Sequence, residues 1–386
     1  MFVKNKIIII IAITIFIFGC GKDQTITSVN FKPTTGLYSN VQIENNILHV
    51  QLNQNMNIRF EYYNWNNNTE KYYGWLAGNS NHSFDFHLPV KQQNAYYALK
   101  IRVENEKVYQ DTVVYFTSSN PNYNFFEVHY INVQQGDGIY IKTPEGQQMM
   151  IDGGYGTRGD NDLSYEGYGQ PLALNYVRSI NAHDFKYLIE THRHGDHYGG
   201  LYDIRDASDM TYDYYFSNSN LFGYQEGQFL NLDSQVHFQI LNIGYPPNDN
   251  SYDQNNTSIV IRSTYQDAEY LFTGDAEGSV QSYLYTQPWS LSSDLLKIAH
   301  HGSSADGTSD NTFLKTVLNQ YAKIGILSFG TNNSYGHPKV LSRFNAHNIF
   351  GTCSPSSGSG NPNHHFNMGN IITYTDGKAI IVTSKK

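Results

Sequence analysis

The sequence predicts an α+β chain made of two sandwiches: an all-β, immunoglobulin-like sandwich over residues 29–122, then an αββα sandwich over 123–386. Three observations carry this expectation. Apolar residues alternate with period two through the first part. In the second part strands come first and strands mixed with helices follow, and that order occurs twice. A cluster of His and Asp at 192–197 follows directly on the apolar run Tyr187-Leu188-Ile189, which reads as a buried strand.

Residues 1–19 read as an export signal, with Lys4 and Lys6 at its start and an apolar run from Ile7 to Phe18. That run is shorter than the ~20 residues of a membrane helix. It ends Phe18-Gly19-Cys20-Gly21, which resembles the lipobox of bacterial lipoproteins. The resemblance implies lipidation at Cys20, a polar tether over 20–28, and a place in the cell envelope, on the outer surface or in the periplasm. Cys353 is the other cysteine, so the processed chain forms no internal disulfide.

In the first sandwich Leu48, Val50 and Leu52 alternate, then Ile58, Phe60 and Tyr62, then Phe84, Phe86 and Leu88, then Leu99, Ile101 and Val103. His49, His82 and His87 are scattered among them and read as structural. Ser118 to Asn122 reads as the linker. Beyond it, strands are expected at Phe126–Val133, Ile139–Lys142 and Met149–Ile151, then a helix with Leu172, Tyr176, Val177 and Ile180 on one face. Strands Phe238–Leu241, Ser258–Arg262 and Tyr270–Phe272 follow. A helix near Ser279–Tyr285, strand Leu295–Ala299, helix Thr312–Tyr321 and strand Ile324–Ser328 come next. A hairpin of Ile371–Tyr374 and Ala379–Val382, turned at Asp376-Gly377, ends the chain.

A hydrophobic content of 39% builds sizeable cores, and the 32 Tyr read as a product of base composition rather than a sugar-stacking surface. Net charge is −9 and there is no basic tract, which excludes an extended, salt-sensitive grip on nucleic acid. No stable nucleic-acid complex is expected.

Chemistry concentrates in Thr191-His192-Arg193-His194-Gly195-Asp196-His197. Alternation at a strand end lets His192 and His194 face one point, and a tight turn at Gly195 brings Asp196 and His197 toward a second. Nitrogen and carboxylate donors in threes and fours suit Zn²⁺. The pattern resembles the His-x-His-x-Asp-His signature of the metallo-β-lactamase fold superfamily. Further motifs narrow the resemblance: Ile131 to Gly138, Asp152-Gly153-Gly154, Asn255 to Ser258, Thr273-Gly274-Asp275, His300 to Ser303 and Tyr335 to Pro338. In this order they are similar to the soluble hydrolase domain of the ComEC competence proteins. Gln134 departs from that pattern, which usually has Gly, and puts the loop's geometry in question. The membrane channel part of ComEC is not among the matched segments.

The resemblance implies two divalent ions, zinc first and manganese second. His192 and His194 would hold one, Asp196 and His197 the other, and Asp275 would bridge them. Alternation lets one of His300 and His301 point at the metals. His301 is expected as the ligand, and His300 as a substrate or supporting contact. His237 is the candidate for a further ligand to the first ion but reads as structural. Asp152 is expected to orient a ligand His, and Asn256, Ser303 and Asn333 to support it or touch substrate. His337 would act on a phosphate oxygen or the leaving group, so Asp196, His300 and His337 are the candidate catalytic residues. His364 and His365 read as a solvated pair. Two adjacent ions would hold a hydroxide at neutral pH, which implies hydrolysis of a phosphodiester, DNA first and envelope phosphodiesters second. Lactone or β-lactam hydrolysis and a non-enzymatic surface binding module are the alternatives. Oligomeric state is left open.

Overall fold

The computed structural model describes residues 28–385 apart from 32–37, 53–56, 66–70, 77–82, 92, 105–108, 120–122, 159–165, 218–219, 245–253, 319–323, 331–335, 345–347 and 356–360. The export signal, Cys20, most of the tether, His82 and Asn333 lie outside the described residues. Two compact units divide the chain, Met1–Tyr123 and Asn124–Lys386.

The first unit is all strand: β1 (Ser28–Phe31), β2 (Tyr38–Glu44), β3 (Ile47–Leu52), β4 (Asn57–Asn64), β5 (Lys71–Leu76), β6 (Ser83–His87), β7 (Tyr96–Glu104) and β8 (Tyr109–Thr117). One sheet runs β1-β2-β3-β6 and the facing strands run β5-β4-β7-β8. The chain changes sheet after β3, β5 and β6, the Greek-key crossing of immunoglobulin-type sandwiches. The alternating residues point between the sheets. Phe60 of β4 stacks on Phe86 of β6 with centroids 4.9 Å apart, and Tyr62 stacks on Tyr72 at 4.5 Å. Tyr62 donates its buried hydroxyl to Pro89 O at 2.7 Å, so its polar end is satisfied. His49 pairs with Asp85 and His87 stacks on Tyr123, both in structural roles.

The second unit opens with β9 (Phe126–Tyr130), β10 (Gly138–Lys142), β11 (Gln148–Gly153), α1 (Leu172–Ser179), β12 (Asp184–Ile189), α2 (Gly195–Asp206) and β13 (Thr211–Phe216). It continues with β14 (Phe229–Leu230), β15 (Val236–Ile243), β16 (Ile259–Tyr265), β17 (Ala268–Phe272), α3 (Gly278–Leu284), β18 (Leu295–Lys297), α4 (Asn311–Val317), β19 (Ile324–Leu327), α5 (Pro338–Leu341), β20 (Asn348–Gly351) and β21 (His364–His365). The hairpin β22 (Asn370–Thr375) and β23 (Ala379–Lys385) closes it.

Within this unit the strands order β13-β12-β11-β10-β9-β22-β23 in one sheet and β14 through β21 in sequence in the other. In both, antiparallel strands lead into parallel ones: β11, β12 and β13 in the first, β17 to β21 in the second. Parallel neighbours need crossovers. Here α1 and α2 serve the first sheet and α3, α4 and α5 the second. Leu174, Val177, Leu201 and Ile204 pack outside on Met150 and Leu188. Val280, Phe313, Val317 and Phe344 pack on Leu271, Leu296 and Ile349 of the other sheet. Between the sheets the Phe126 ring meets Phe238, Tyr265 and Tyr270 edge-on at 5.3–6.3 Å.

Several expected boundaries shift. The first strand ends at Tyr130, and Ile131 to Asp137 form a turn in which Gln134 adopts φ +64°. This left-handed conformation explains why glycine suits that place. The expected helix to Tyr321 stops at Val317. The strand expected to reach Ala299 stops at Lys297. His364 and His365 are not a solvated pair: both are half-buried, β21 adds to β20, and His365 stacks on Phe350 at 4.9 Å.

The close seat of α2 on β11 positions the site. Gly200 N donates to Gly154 O at 2.8 Å, and a Cβ on Gly200 would lie 1.9 Å from Gly153 O. Only glycine lets these backbones touch. Gly200→Ala should lift the start of α2 and cost ~1–3 kcal/mol, the usual range for overpacking. A urea midpoint for the variant equal to wild type would show that the contact is dispensable.

Candidate metal centre

The carboxyl ends of the parallel strands, where open α/β sheets place ligands, carry the candidate residues. β12 ends at Ile189, so His192 and His194 sit in the loop after it rather than on a strand. The expected turn at Gly195 is the first turn of α2, with His194 at its N-cap and Asp196 and His197 inside it. An anionic Asp196 suits a helix N-terminus. His192 Nε2 lies 3.0 Å from His194 Nδ1, and His197 Nε2 lies 3.3 Å from His301 Nε2.

Asp275 follows β17 and joins the two groups. Its Oδ2 stands 3.2 Å from His197 Nε2, 3.4 Å from His301 Nε2, and 3.9 Å from both His192 Nε2 and His300 Nε2. Donor atoms of His192, His194 and Asp275 fall within 4.8 Å of one another, as do those of Asp196, His197 and His301, and those of Asp137, His197 and Asp275.

His192, His197 and His301 are turned by partners on their far sides. Asp152, at φ +56°, accepts from Thr191 N at 2.8 Å and from the Thr191 hydroxyl at 2.6 Å. It also faces His197 Nδ1 at 2.8 Å, a contact that fixes that ring's orientation. Thr191 Oγ1, having given its proton to Asp152, can accept from His192 Nδ1 at 3.1 Å. Ser258 Oγ accepts Asp275 N at 3.0 Å, and His301 Nδ1 donates to Ser328 O at 2.9 Å. Gln135 Nε2 donates to Asp196 Oδ2 at 3.0 Å. These contacts leave ring nitrogens converging on one another.

Alternation does not separate His300 from His301. Both have left-handed backbones, φ +49° and +51°, and both turn Nε2 toward Asp275. The strand has already ended, so its period no longer applies. His237 is exposed on β15 against Phe229 and takes no part. Asn256 turns to α3, accepting from the Ser279 hydroxyl, while its neighbour Asn255 donates to Glu277. Ser303 Oγ accepts Ala305 N and closes the next turn. Gly336 N and His337 N donate to His301 O and Gly302 O, which ties that segment to the ligand turn. His337 Nδ1 accepts from Lys339 N at 3.2 Å and caps α5.

Sequence reading passed over Thr191, Gln135, Asp137, Ser258, Glu277, Lys297 and Ser328. Gln135, Asp137 and Ser258 stood inside the matched motifs, and Lys297 stood out as a charge within an apolar strand. Lys297 Nζ lies 2.7 Å from Asp137 Oδ2, both buried, and donates to Ile298 O. Glu277 and Ser328 carried no sequence signal.

Electrostatics show what the group lacks without a cation. Burial would push His301 down, but Asp275 and Asp196 outweigh it and raise the ring to about 10. For His197 burial is likewise overcome, by Asp275 and Asp152, which hold it well above its usual value. His192 is pushed well down by burial and by His197. Burial opposes ionisation of Asp275, yet His301, His197 and His300 hold it well below the carboxylate range. Asp275 Oδ1 is buried with no hydrogen-bond partner among the described residues, an expensive state unless a cation is at hand. The donor set fits divalent metal ions.

Residues 131–232 match the Metallo-beta-lactamase superfamily. The second unit carries a metallo-β-lactamase domain. A 98-residue segment is 32% identical to ComE operon protein 3 of Bacillus subtilis (strain 168), covering 25% of this chain and 12% of that protein. The chain therefore matches only a small part of that relative's length. No helix among the described residues is long and apolar enough to cross a membrane.

The raised histidines of the metallo-β-lactamase domain set a pH dependence. With a folded value of about 10 against 6.5 unfolded, proton-linked stability from His301 in the metal-free protein is full below pH ~6.5. It is lost as pH rises toward 10. A metal on the same nitrogen must displace that proton, so affinity should climb with pH across this window. Zinc competition titrations at pH ~6.5, 7.5 and 8.5 check it, and affinity flat across the series would contradict the proton linkage.

Proposed function

We propose that the chain is a dinuclear, metal-dependent hydrolase that cleaves phosphodiesters, DNA or envelope phosphodiesters, at the cell envelope. The observation that carries this reading is Asp275, whose buried carboxylate has imidazole nitrogens on one oxygen and, on the other, no hydrogen-bond partner among the described residues. His and carboxylate donors suit zinc first and manganese second. When bound, such ions acidify water and offset charge on a phosphoryl group.

The chain's own residues supply the rest. His192 and His194 would hold one ion and Asp196, His197 and His301 the other, with Asp275 within reach of both groups. Asp152 and Ser328 keep two of these rings from rotating. His337 gives its Nδ1 lone pair to the Lys339 N–H, so the neutral ring carries its proton at Nε2. A donor of that kind suits a non-bridging phosphate oxygen or the leaving group. The motif resemblance to the ComEC hydrolase domain favours phosphodiesters over lactones. The lack of a basic tract supports a substrate gripped at the metals rather than along a groove.

The test is zinc- or manganese-loaded protein against a chromogenic phosphodiester, DNA, a lactone and a β-lactam. Phosphodiester turnover is expected. Asp275→Ala should lose at least one ion and its activity with it, whereas His337→Ala should keep both ions and slow turnover ~10²–10⁴-fold. Turnover of the lactone or β-lactam alone would overturn the substrate assignment. A metal-loaded protein inert toward all four would favour the binding module. For the anchor, Cys20→Ala should release the protein from the membrane fraction, and detergent-dependent fractionation unchanged in that variant would exclude lipidation there.

A further inference from the structure

We propose that His300 is a metal ligand rather than a substrate contact, set in that role by Glu277, and that it completes the group of His192, His194 and Asp275. The proposal rests on the dinuclear reading above and assigns one more residue to it.

The distances around Asp275 Oδ2 fall into two pairs. His197 and His301 are near, at 3.2 and 3.4 Å, and share their side of the site with Asp196. His192 and His300 are both at 3.9 Å. Counting donors, Asp196, His197 and His301 with the bridge make four, while His192 and His194 with the bridge make three. His300 as a fourth donor, its third nitrogen, would give that ion the four-ligand set usual for zinc. His237 cannot serve, being exposed on β15.

Tautomers separate His300 from His337. The rings of His197, His301 and His192 each have an acceptor at Nδ1, which places the ring proton there and leaves a lone pair at Nε2. His300 also turns its Nδ1 to a carboxylate, 3.0 Å from Glu277 Oε1, at ion-pair distance though not in hydrogen-bonding geometry. Glu277 is 3% exposed and does not swing freely, because Asn255 Nδ2 donates to the same oxygen at 3.1 Å. A neutral ring held this way offers Nε2 as a lone pair. That suits a cation and cannot donate to a phosphate oxygen. His337 is the reverse, with Nδ1 accepting and Nε2 carrying the proton.

Local backbone makes the assignment geometrically available. Two consecutive left-handed residues put the side chains of His300 and His301 on the same carboxylate, which an extended strand would not do. Such strained positions persist where the surroundings enforce them. Both side chains being ligands would account for both residues taking it.

Metal content and affinity, read on the purified full chain by elemental analysis and by competition with a chromophoric chelator, test the proposal without using activity. Wild type should hold two zinc ions. His300→Ala should keep one and bind the other more weakly by more than the ~10–100-fold that loss of a supporting contact costs. Glu277→Gln, which leaves His300 in place, should weaken the same ion ~10–100-fold. His337→Ala should change neither. Cobalt substitution adds a signature, since losing a nitrogen donor alters the visible spectrum of the affected ion alone. Two ions at wild-type affinity in His300→Ala would overturn the proposal; if that variant does not fold, wild-type affinity in Glu277→Gln does so. Fewer than two ions in the wild-type chain would instead overturn the dinuclear reading itself.

Discussion

One carboxylate sets the terms for the second unit. Asp275 collects histidines from two separate turns onto a single oxygen, and the donors of both candidate ions meet at it. Without a cation, protons on His197 and His301 balance the buried acids, and burial makes that balance costly. The surrounding contacts follow from this constraint. Asp152, Thr191, Ser258 and Ser328 each hold a ring or backbone group so that the converging nitrogens do not relax apart.

The two sheets must also keep a fixed spacing, since each supplies part of the donor set. Lys297 at the end of β18 reaches Asp137 in the turn before β10, a buried ion pair across the interior. Asp137 N donates to Asp196 O, and Gly154 N donates to Asp137 O, so the same residue ties the turn to the start of α2 and the end of β11. An isolated buried pair is weak evidence for stability, but losing one partner leaves an uncompensated charge and costs about 3–5 kcal/mol. The pair therefore fixes geometry more than it adds net stability. Its neighbour His301, with Nδ1 3.5 Å from Asp137 Oδ1, feels any shift directly.

Much of the fold was legible from periodicity, because a half-buried strand must alternate. Leu48, Val50 and Leu52 of β3, and Ile58, Phe60 and Tyr62 of β4, are all buried. The closing hairpin is also where Asp376-Gly377 predicts it, with Gly377 at φ +91° and Asp376 Oδ1 accepting Lys378 N. Ends were less legible. β9 and β18 both stop short of the apolar runs that suggested them, because Ile131, Val133, Ile298 and Ala299 are buried in turns rather than in strands. Apolar residues report burial, and burial continues past the last ladder hydrogen bond.

By itself the sequence determined the donor chemistry: imidazoles and carboxylates grouped after strands, at a spacing that local backbone can close. It also determined the glycines that let α2 touch β11, since a side chain there would have no room. Tertiary structure alone decided which nitrogen each ring presents. That choice depends on partners distant in sequence, Asp152 for His197 and Ser328 for His301. It decided as well that His300 and His301 face the same carboxylate, because two left-handed residues replace the strand whose alternation would have parted them. A side chain's direction follows backbone torsions and the acceptors brought to it by folding, and neither is written in local composition.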